Sequence, residues 1–446
     1  EFWLKLSNGV AEQVIAELDA PDVLATYQKQ NYHLQQLKGL FAWQQQKPEL
    51  WQVTAEHLQG FINQRAMPLT TLSVAKKSSL LTIAGEKINL EQMALLVQEV
   101  PAPAALKKWL AVAKPSGQIS NIAVQLTENN DGTAKIHQVS AVFDRLSAVA
   151  TNDYSGFKNI SGWLNHAELG GAAAIHIDNG ELDLRQVYRV PTMVESLKAT
   201  LQWQQMGDDW HVASNVITVK NSDTHGHAVL TLMIPKNDFS AAQMKLLASI
   251  YDGRLDSVWR YVPWPSAGDD TLAWLKSALV SGEITRGDFL YDGVLIDTAN
   301  RPPSTMQMNF VVNNGVLAYA PEWPKLTQLN ANIGLYNRSL TIEANNSQVY
   351  QTIIRHVKAD IPELNHPQLH INADLDSTGE DILRLFKETP LKNDAGRVAD
   401  LLTIRGEVAG SLNLDMPLAS NSVNDEIKIN VTAELPGNPI ILRQAS

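Results

Sequence analysis

The stretch WPKLTQLNANIGLYNRSLTIEANN, residues 323–346, alternates apolar and polar positions with period two. Leu329, Ala331, Ile333 and Leu335 fall on one side and Asn330, Asn332, Gly334 and Tyr336 on the other, because successive side chains of a strand point to opposite faces. Leu340, Ile342 and Ala344 resume the stripe after Asn337 and Arg338, where a hairpin turn would bring both stripes onto one face. QLHINADLD repeats the pattern with Leu369, Ile371, Ala373 and Leu375, and IKINVTAEL with Ile427, Ile429, Val431, Ala433 and Leu435. These segments read as half-buried antiparallel strands. A face that is apolar on strand after strand has to be covered, by protein or by a guest.

A few stretches carry apolar residues at i, i+3 and i+4 instead and predict short helices: residues 10–19, LEQMALLVQEV, AALKKWLAVA, SAAQMKLLASIY, DDTLAWLKSALV and GEDILRLF. Asp269 or Asp270 would cap the helix that precedes Leu272.

Three phrases recur in the same order. LKGLFAWQQ at 37–45 returns as LKATLQWQQ at 197–205, each followed by a second tryptophan, Trp51 or Trp210. KWLAVAKPSGQIS at 108–120 returns as AWLKSALVSGEIT at 273–285, a short helix, a glycine stop and a new strand. The hairpin after Ile160 has its counterpart after Leu326, and RGEVAGSLNLDMPL at 405–418 is a third glycine–strand phrase. Ordered recurrence of this kind is the mark of tandem architecture. The expected fold is therefore mostly β with a few short helices: an elongated, curved antiparallel sheet forming an apolar groove from tandem repeats. Residues 1–446 would form one continuous segment, with approximate units 30–190, 191–355 and a partial 356–446. A closed β-sandwich is the alternative, since a long one-sided sheet with little helix must bend over something.

Composition narrows the function classes. The formal charge of -11, from 36 Lys plus Arg against 47 Asp plus Glu, leaves no basic stripe for nucleic acid. There is no cysteine, so thiolate metal sites and cysteine nucleophiles are excluded. The longest apolar runs, such as MALLV and AAAI, fall far short of the roughly 20 residues of a membrane helix. The chain begins at Glu1, which suggests an excised fragment whose targeting segment lies outside it.

Candidate chemistry is sparse. His225 and His227 in THGH have a spacing that chelates metals, but no third ligand motif accompanies them and a solvated turn accounts for them. Asp208 and Asp209 read as a hairpin tip, and Asp269 and Asp270 as a helix N-terminus that favours negative charge. A glycosidase draws its two carboxylates from different strands, unlike these neighbours. No G-x-S-x-G elbow, Walker loop, dinucleotide fingerprint or H-E-x-x-H occurs. The expectation is a non-enzyme without cofactor. Trp43, Trp203, Trp51 and Trp210 sit beside apolar stripes, so packing is favoured over sugar stacking.

The run YVPWPSAGDDTLAWLKSALVSGEITRGDFLYDGVL, followed by VVNNGVLAYAPEWPKLTQLNANI, resembles the YhdP branch of the AsmA-like envelope proteins. The matching positions are Tyr261, Val262, Pro263, Trp274, Leu275, Gly282, Ile284, Tyr319, Trp323, Pro324 and Leu326, and the likeness covers about residues 100–446. The first hundred residues join only through the repeat. The resemblance implies a large Gram-negative protein, anchored in the inner membrane and crossing the periplasm as a β groove similar to bridge-like lipid transfer proteins. It implies phospholipid acyl chains as partners, with inner- and outer-membrane components contacted through terminal parts missing here. The lining expected for such a groove is Leu329, Ala331, Ile333, Leu335, Leu340, Ile342, Leu369, Ile371, Leu375, Ile427, Ile429 and Val431. The rival readings are a structural envelope scaffold and a carbohydrate-binding β protein.

Overall fold

The computed structural model describes residues 1–7, 10–27, 30–67, 71–99, 102, 104–128, 134–295, 304–418, 428–435, 437 and 440–442. By contacts it divides into two units, Glu1–Gln186 with Val190–Lys220, and Asn221–Ser446 with Val187–Arg189.

In the first unit the strands Phe2–Ser7, Val10–Tyr27, Gln30–Lys47, Leu50–Ile62, Leu72–Lys77, Leu80–Asn89, Ser116–Glu128, Ala134–Ala148, Gly156–Ala167, Gly170–Asp183 and Thr192–Met206 each pair antiparallel with the next. Asp209–Ser214 and Ile217–Lys220 both pair with Thr192–Met206. The second unit follows the same rule through His225–Pro235, Gln243–Arg254, Leu279–Val294, Thr305–Leu317, Leu326–Tyr336, Ser339–Asn345, Thr352–Ile361, Gln368–Thr378, Glu407–Pro417 and Lys428–Glu434. Leu402–Ile404 pairs separately with Ile440–Leu442. The mostly-β expectation holds in both units. The sheet does not close in either unit: among the described residues Phe2–Ser7 and Lys428–Glu434 each pair on one side only.

Because consecutive strands are neighbours, connections alternate between the two ends of each sheet. In the first unit one end carries tight turns at 48–49, 78–79, 168–169 and 207–208, and the other carries the helices Leu90–Glu99 and Ala104–Ala113. In the second unit the turn at 337–338 lies at one end, and both helical insertions lie at the other. The first insertion is a 3-10 turn, Leu255–Arg260, with the helix Trp264–Ala278, and the second is the pair Gly379–Glu388 and Lys392–Leu401. Each sheet thus has a turn rim and a helix rim.

Along the helix rims runs a file of non-glycine residues with left-handed φ: Gln36, His57, Asn121, Arg145, Asn159 and Asn179 in the first unit, and Asp252, Asn314, Gln328, Asn346 and His356 in the second. Strand register shifts accompany them, between Gln35 and Lys38, Ser120 and Ala123, Lys158 and Ile160, Val312 and Gly315, and Arg355 and Lys358. These are β-bulges, which bend a strand and increase its twist. Amides released from the ladder find side chains on the adjacent strand. Arg145 N donates to Ser161 Oγ (2.9 Å), Asn159 N to Ser147 Oγ (3.1 Å) and Asn314 N to Asn330 Oδ1 (3.0 Å).

Two predicted helices are strands. Residues 10–19 lie in Val10–Tyr27, hydrogen-bonded on both sides, and 240–251 becomes a 3-10 turn at Phe239–Ala241 followed by the strand Gln243–Arg254. Both sequences satisfy period two as well as 3.6, as with Met244, Leu246, Ala248 and Ile250, and pairing on two sides decides the outcome. The helices at 90–99, 104–113 and 379–388 form as expected. In the last, Thr378 Oγ1 accepts from Asp381 N (3.2 Å), and Asp381, itself buried, accepts from Gln351 N (2.9 Å). Trp264–Ala278 breaks at Gly268 (φ 76°), so Asp269 and Asp270 open its regular portion as expected.

The recurring phrases adopt matching geometry. Gln45 lies opposite Trp51 and Trp43 opposite Val53, just as Gln205 lies opposite Trp210 and Trp203 opposite Val212. The extra residue of the first hairpin is absorbed by a register shift between Gln45 and Lys47. Ala113 and Ala278, both buried, end their helices, and their carbonyls accept from Val149 N and Ala318 N at 2.8 Å each. Gly117 (φ 108°) and Gly282 (φ 136°) then start the new strands.

At Gly117 a Cβ would meet the Arg145 carbonyl oxygen at 2.5 Å, whereas at Gly207 (φ 65°) it would meet nothing within 4 Å. Gly117→Ala is expected to destabilise the chain by roughly 2–4 kcal/mol and Gly207→Ala by about 1 kcal/mol. Denaturant midpoints for the two variants check this order.

Candidate functional site

The register of the second unit places one residue per strand in a line: Gly226, Ile250, Gly287, Phe310, Ile333, Ile342, Ala359, Ile371, Leu414 and Ile429 are successive cross-strand partners. Every member is apolar or glycine. The residues one position along form the opposite face: His227, Ser249, Asp288, Asn309, Gly334, Thr341, Asp360, His370, Asp415 and Lys428. That row is polar throughout, apart from Gly334. It is cross-linked by Ser249 Oγ donating to Asp288 Oδ1 (2.7 Å) and by His370 Nδ1 with Asp415 Oδ1 (2.5 Å). The Ser249 hydroxyl, then Arg286, holds the Asp288 carboxyl below the usual range.

The first unit repeats the arrangement. Leu4, Val14, Trp43, Val53, Val74, Ile83, Val124, Val139, His166, Gly171, Trp203 and Val212 are successive partners on one face. The flanking row on the other face reads Gln13, Gln44, Gln52, Ala75, Thr82, Gln125, Gln138, Ala167, Gly170 and Gln204. Both repeat tryptophans stand in the apolar line. Its single imidazole is tied in by Trp203 Nε1 donating to His166 Nδ1 (3.0 Å).

The expected lining residues share this face where the structure describes them. Ile333, Ile342 and Ile371 are in the central line, beside the pairs Leu335–Leu340 and Ala331–Ala344. Leu369 pairs with Met416, Leu375 with Gly410, Val431 with Leu412 and Ile429 with Leu414. Leu329 lies opposite Gly315 across a bulge. Ile427 lies outside the described residues. The outward partners Asn330, Asn332 and Tyr336 are exposed.

Coverage of the apolar face is partial. At the helix rim Leu255, Ile284 and Val312 form a buried cluster against which Ile250, Val258, Leu279, Phe310 and Ile333 pack. Elsewhere Ala331, Ala344, Ala359 and Ala373 are buried, as are Ile361 and Val408 near two strand ends, while Leu335, Leu340, Ile342, Ile371 and Leu375 are half-buried. Ile429 and Val431 are exposed. A second layer would have buried the large residues too. The accessible surface of 27340 Å² agrees, because a compact chain of 49.2 kDa exposes about 17,000 Å² and two compact halves about 20,000 Å².

Other polar groups pair locally. Asp223, buried, accepts from Arg260 (3.1 Å) and from the Tyr261 hydroxyl (3.0 Å), and burial pushes the Tyr261 phenol up to about 12. His225 and His227 flank the Tyr251 ring, each with its centroid 5.7 Å away, and no group of three metal-ligating side chains forms among the described residues. Asp208 and Asp209 occupy a hairpin tip, as expected. Sequence reading missed the bulge files. Their signal was the Asn, Asp, His or Gln that breaks an alternating run.

Among the described residues no helix is long and apolar enough to cross a membrane. The intermembrane phospholipid transporter YhdP of Escherichia coli (strain K12) is 24% identical to this chain over 318 residues. The match covers 71% of this chain and 25% of that protein, so the chain spans about a quarter of its relative's length. No solved structure matches. The family described as YhdP protein matches residues 1–445, including the first hundred residues that the sequence had joined only through the repeat, and the chain belongs to that family.

Proposed function

We propose that this chain is a segment of a periplasmic lipid conduit whose apolar face lines a groove and shields the acyl chains of phospholipids moving between inner and outer membranes. The observation that carries the reading is the unbroken apolar line, kept in phase from strand to strand and left half-covered. An acyl chain leaving a bilayer loses about 0.8 kcal/mol per methylene unless apolar surface replaces its surroundings. Adjacent strands lie about 4.8 Å apart, so the line offers apolar surface at closely spaced, nearly equivalent steps. Contacts of this kind are non-directional, which allows sliding.

The relative transports phospholipids between membranes by name, which supports the class of cargo. In this reading the recurring hairpin and helix–glycine–strand phrases are copies of one tandem unit of the conduit. The longer protein is anchored in the inner membrane of a Gram-negative envelope, and its other segments contact components of both membranes.

A photoreactive amino acid at Ile333 is expected to capture phospholipid, and one at Asn332 is not. Equal capture from both faces contradicts the assignment. Ile342→Glu places a carboxylate in the apolar line, at a desolvation cost of several kcal/mol against an acyl chain, and is expected to lower lipid capture more than about tenfold. Thr341→Glu, one residue away on the polar face, is expected to leave capture within about twofold, because its charge stays in water. Quantitative lipid extraction from the two purified variants checks the contrast.

A further inference from the structure

The apolar face of the first unit is not uniform from rim to rim. Toward the helix rim, the row beside Trp43, Val53, Val74, Ile83 and Val124 is Phe41, Ala55, Leu72, Gly85 and Ile122, wholly apolar or glycine. Beyond it Leu37 and Leu58 are buried, as are Leu96 and Val97 of the helix Leu90–Glu99. Toward the turn rim the corresponding row is Gln45, Trp51, Lys76, Leu81 and Leu126. Lys76 is the directly opposed partner of Trp51 on one side and Leu81 on the other. It is half-buried, and its ammonium has no ion pair or hydrogen bond among the described residues. Some lysines of the unit are matched, Lys38 with Asp19 (3.1 Å) and Lys158 with Glu181 (2.8 Å), while others, such as the exposed Lys77 and Lys87, share with Lys76 the lack of a partner among the described residues. Trp210 takes the position of Trp51 in the matching hairpin, opposite Gln205.

An indole opposite a half-buried lysine in an apolar row is the composition of a membrane interface, where Trp settles at head-group depth and Lys reaches outward to phosphate. We infer that Lys76 and Trp51 form a head-group station: Lys76 binds the phosphate of a glycerophospholipid at the turn rim, with Trp51 at glycerol depth and the acyl chains directed toward the helix rim. The lipid then has one orientation across the groove, because the helices close the opposite rim with buried leucine and valine. This rests on the proposed function and adds to it an orientation and a phosphate contact.

The test uses the whole chain, loaded without detergent from vesicles of phosphatidylglycerol or, separately, with diacylglycerol, which has the same tails and no phosphate. Lys76→Gln is expected to lower phosphatidylglycerol loading about three- to fivefold, the range for one partly exposed charge contact. Diacylglycerol loading should be unchanged, and Lys76→Arg should restore phospholipid loading. Unchanged phosphatidylglycerol loading in the Gln variant overturns the station and leaves the apolar conduit standing. So does equal loss of both lipids. Competition by millimolar inorganic phosphate as effective as that of the lipid would mark Lys76 as a free-anion site and also overturn it. Failure of the unaltered chain to load either lipid overturns the conduit and the station together.

Discussion

Strand register is the constraint on which the rest depends. The side-chain period of a strand is two, so a slip of one residue anywhere in either sheet would send the remaining strands' apolar residues to the polar face. The line from Gly226 to Ile429 shows no such slip, although bulges interrupt several of the ladders it crosses. The bulges are confined largely to the helix-rim half of the strands, where Asn, Asp, His and Gln adopt left-handed φ and neighbouring Ser and Asn side chains accept the released amides. Bending is thereby gathered at one rim and the phase of the stripe preserved at the other.

That division of labour has an energetic side. An apolar face without a second layer keeps its larger residues half in water, which forgoes much of the roughly 1.5–3 kcal/mol that fully burying each would contribute. The fold recovers part of this at the helix rim, where Leu255, Ile284 and Val312 make a small core. It recovers more through continuous ladder hydrogen bonds. What remains uncovered is a surface that gains by accepting another apolar molecule, and the family to which the chain belongs includes a phospholipid transporter.

Much of this was legible in the sequence, and for identifiable reasons. The hairpin at 326–345 could be placed because Asn337 and Arg338 interrupt an otherwise perfect alternation, and the structure pairs Tyr336 with Ser339 around that turn. The stretches 10–19 and 240–251 were misread because small and aliphatic residues there fit both periods, and only pairing on two sides, a long-range property, separates them. The helix Lys392–Leu401 was missed because its polar, glycine-containing sequence carries no apolar stripe. Which face of each strand is apolar could be read locally. That these faces line up from Gly226 to Ile429 is a fact of pairing that no single segment contains.

Native mass spectrometry of the chain, purified without detergent from a phospholipid-rich envelope, tests the central claim most directly. The account predicts protein ions carrying one or more phospholipids that are displaced by excess free fatty acid. A chain that emerges free of lipid under conditions that preserve its β structure would contradict it.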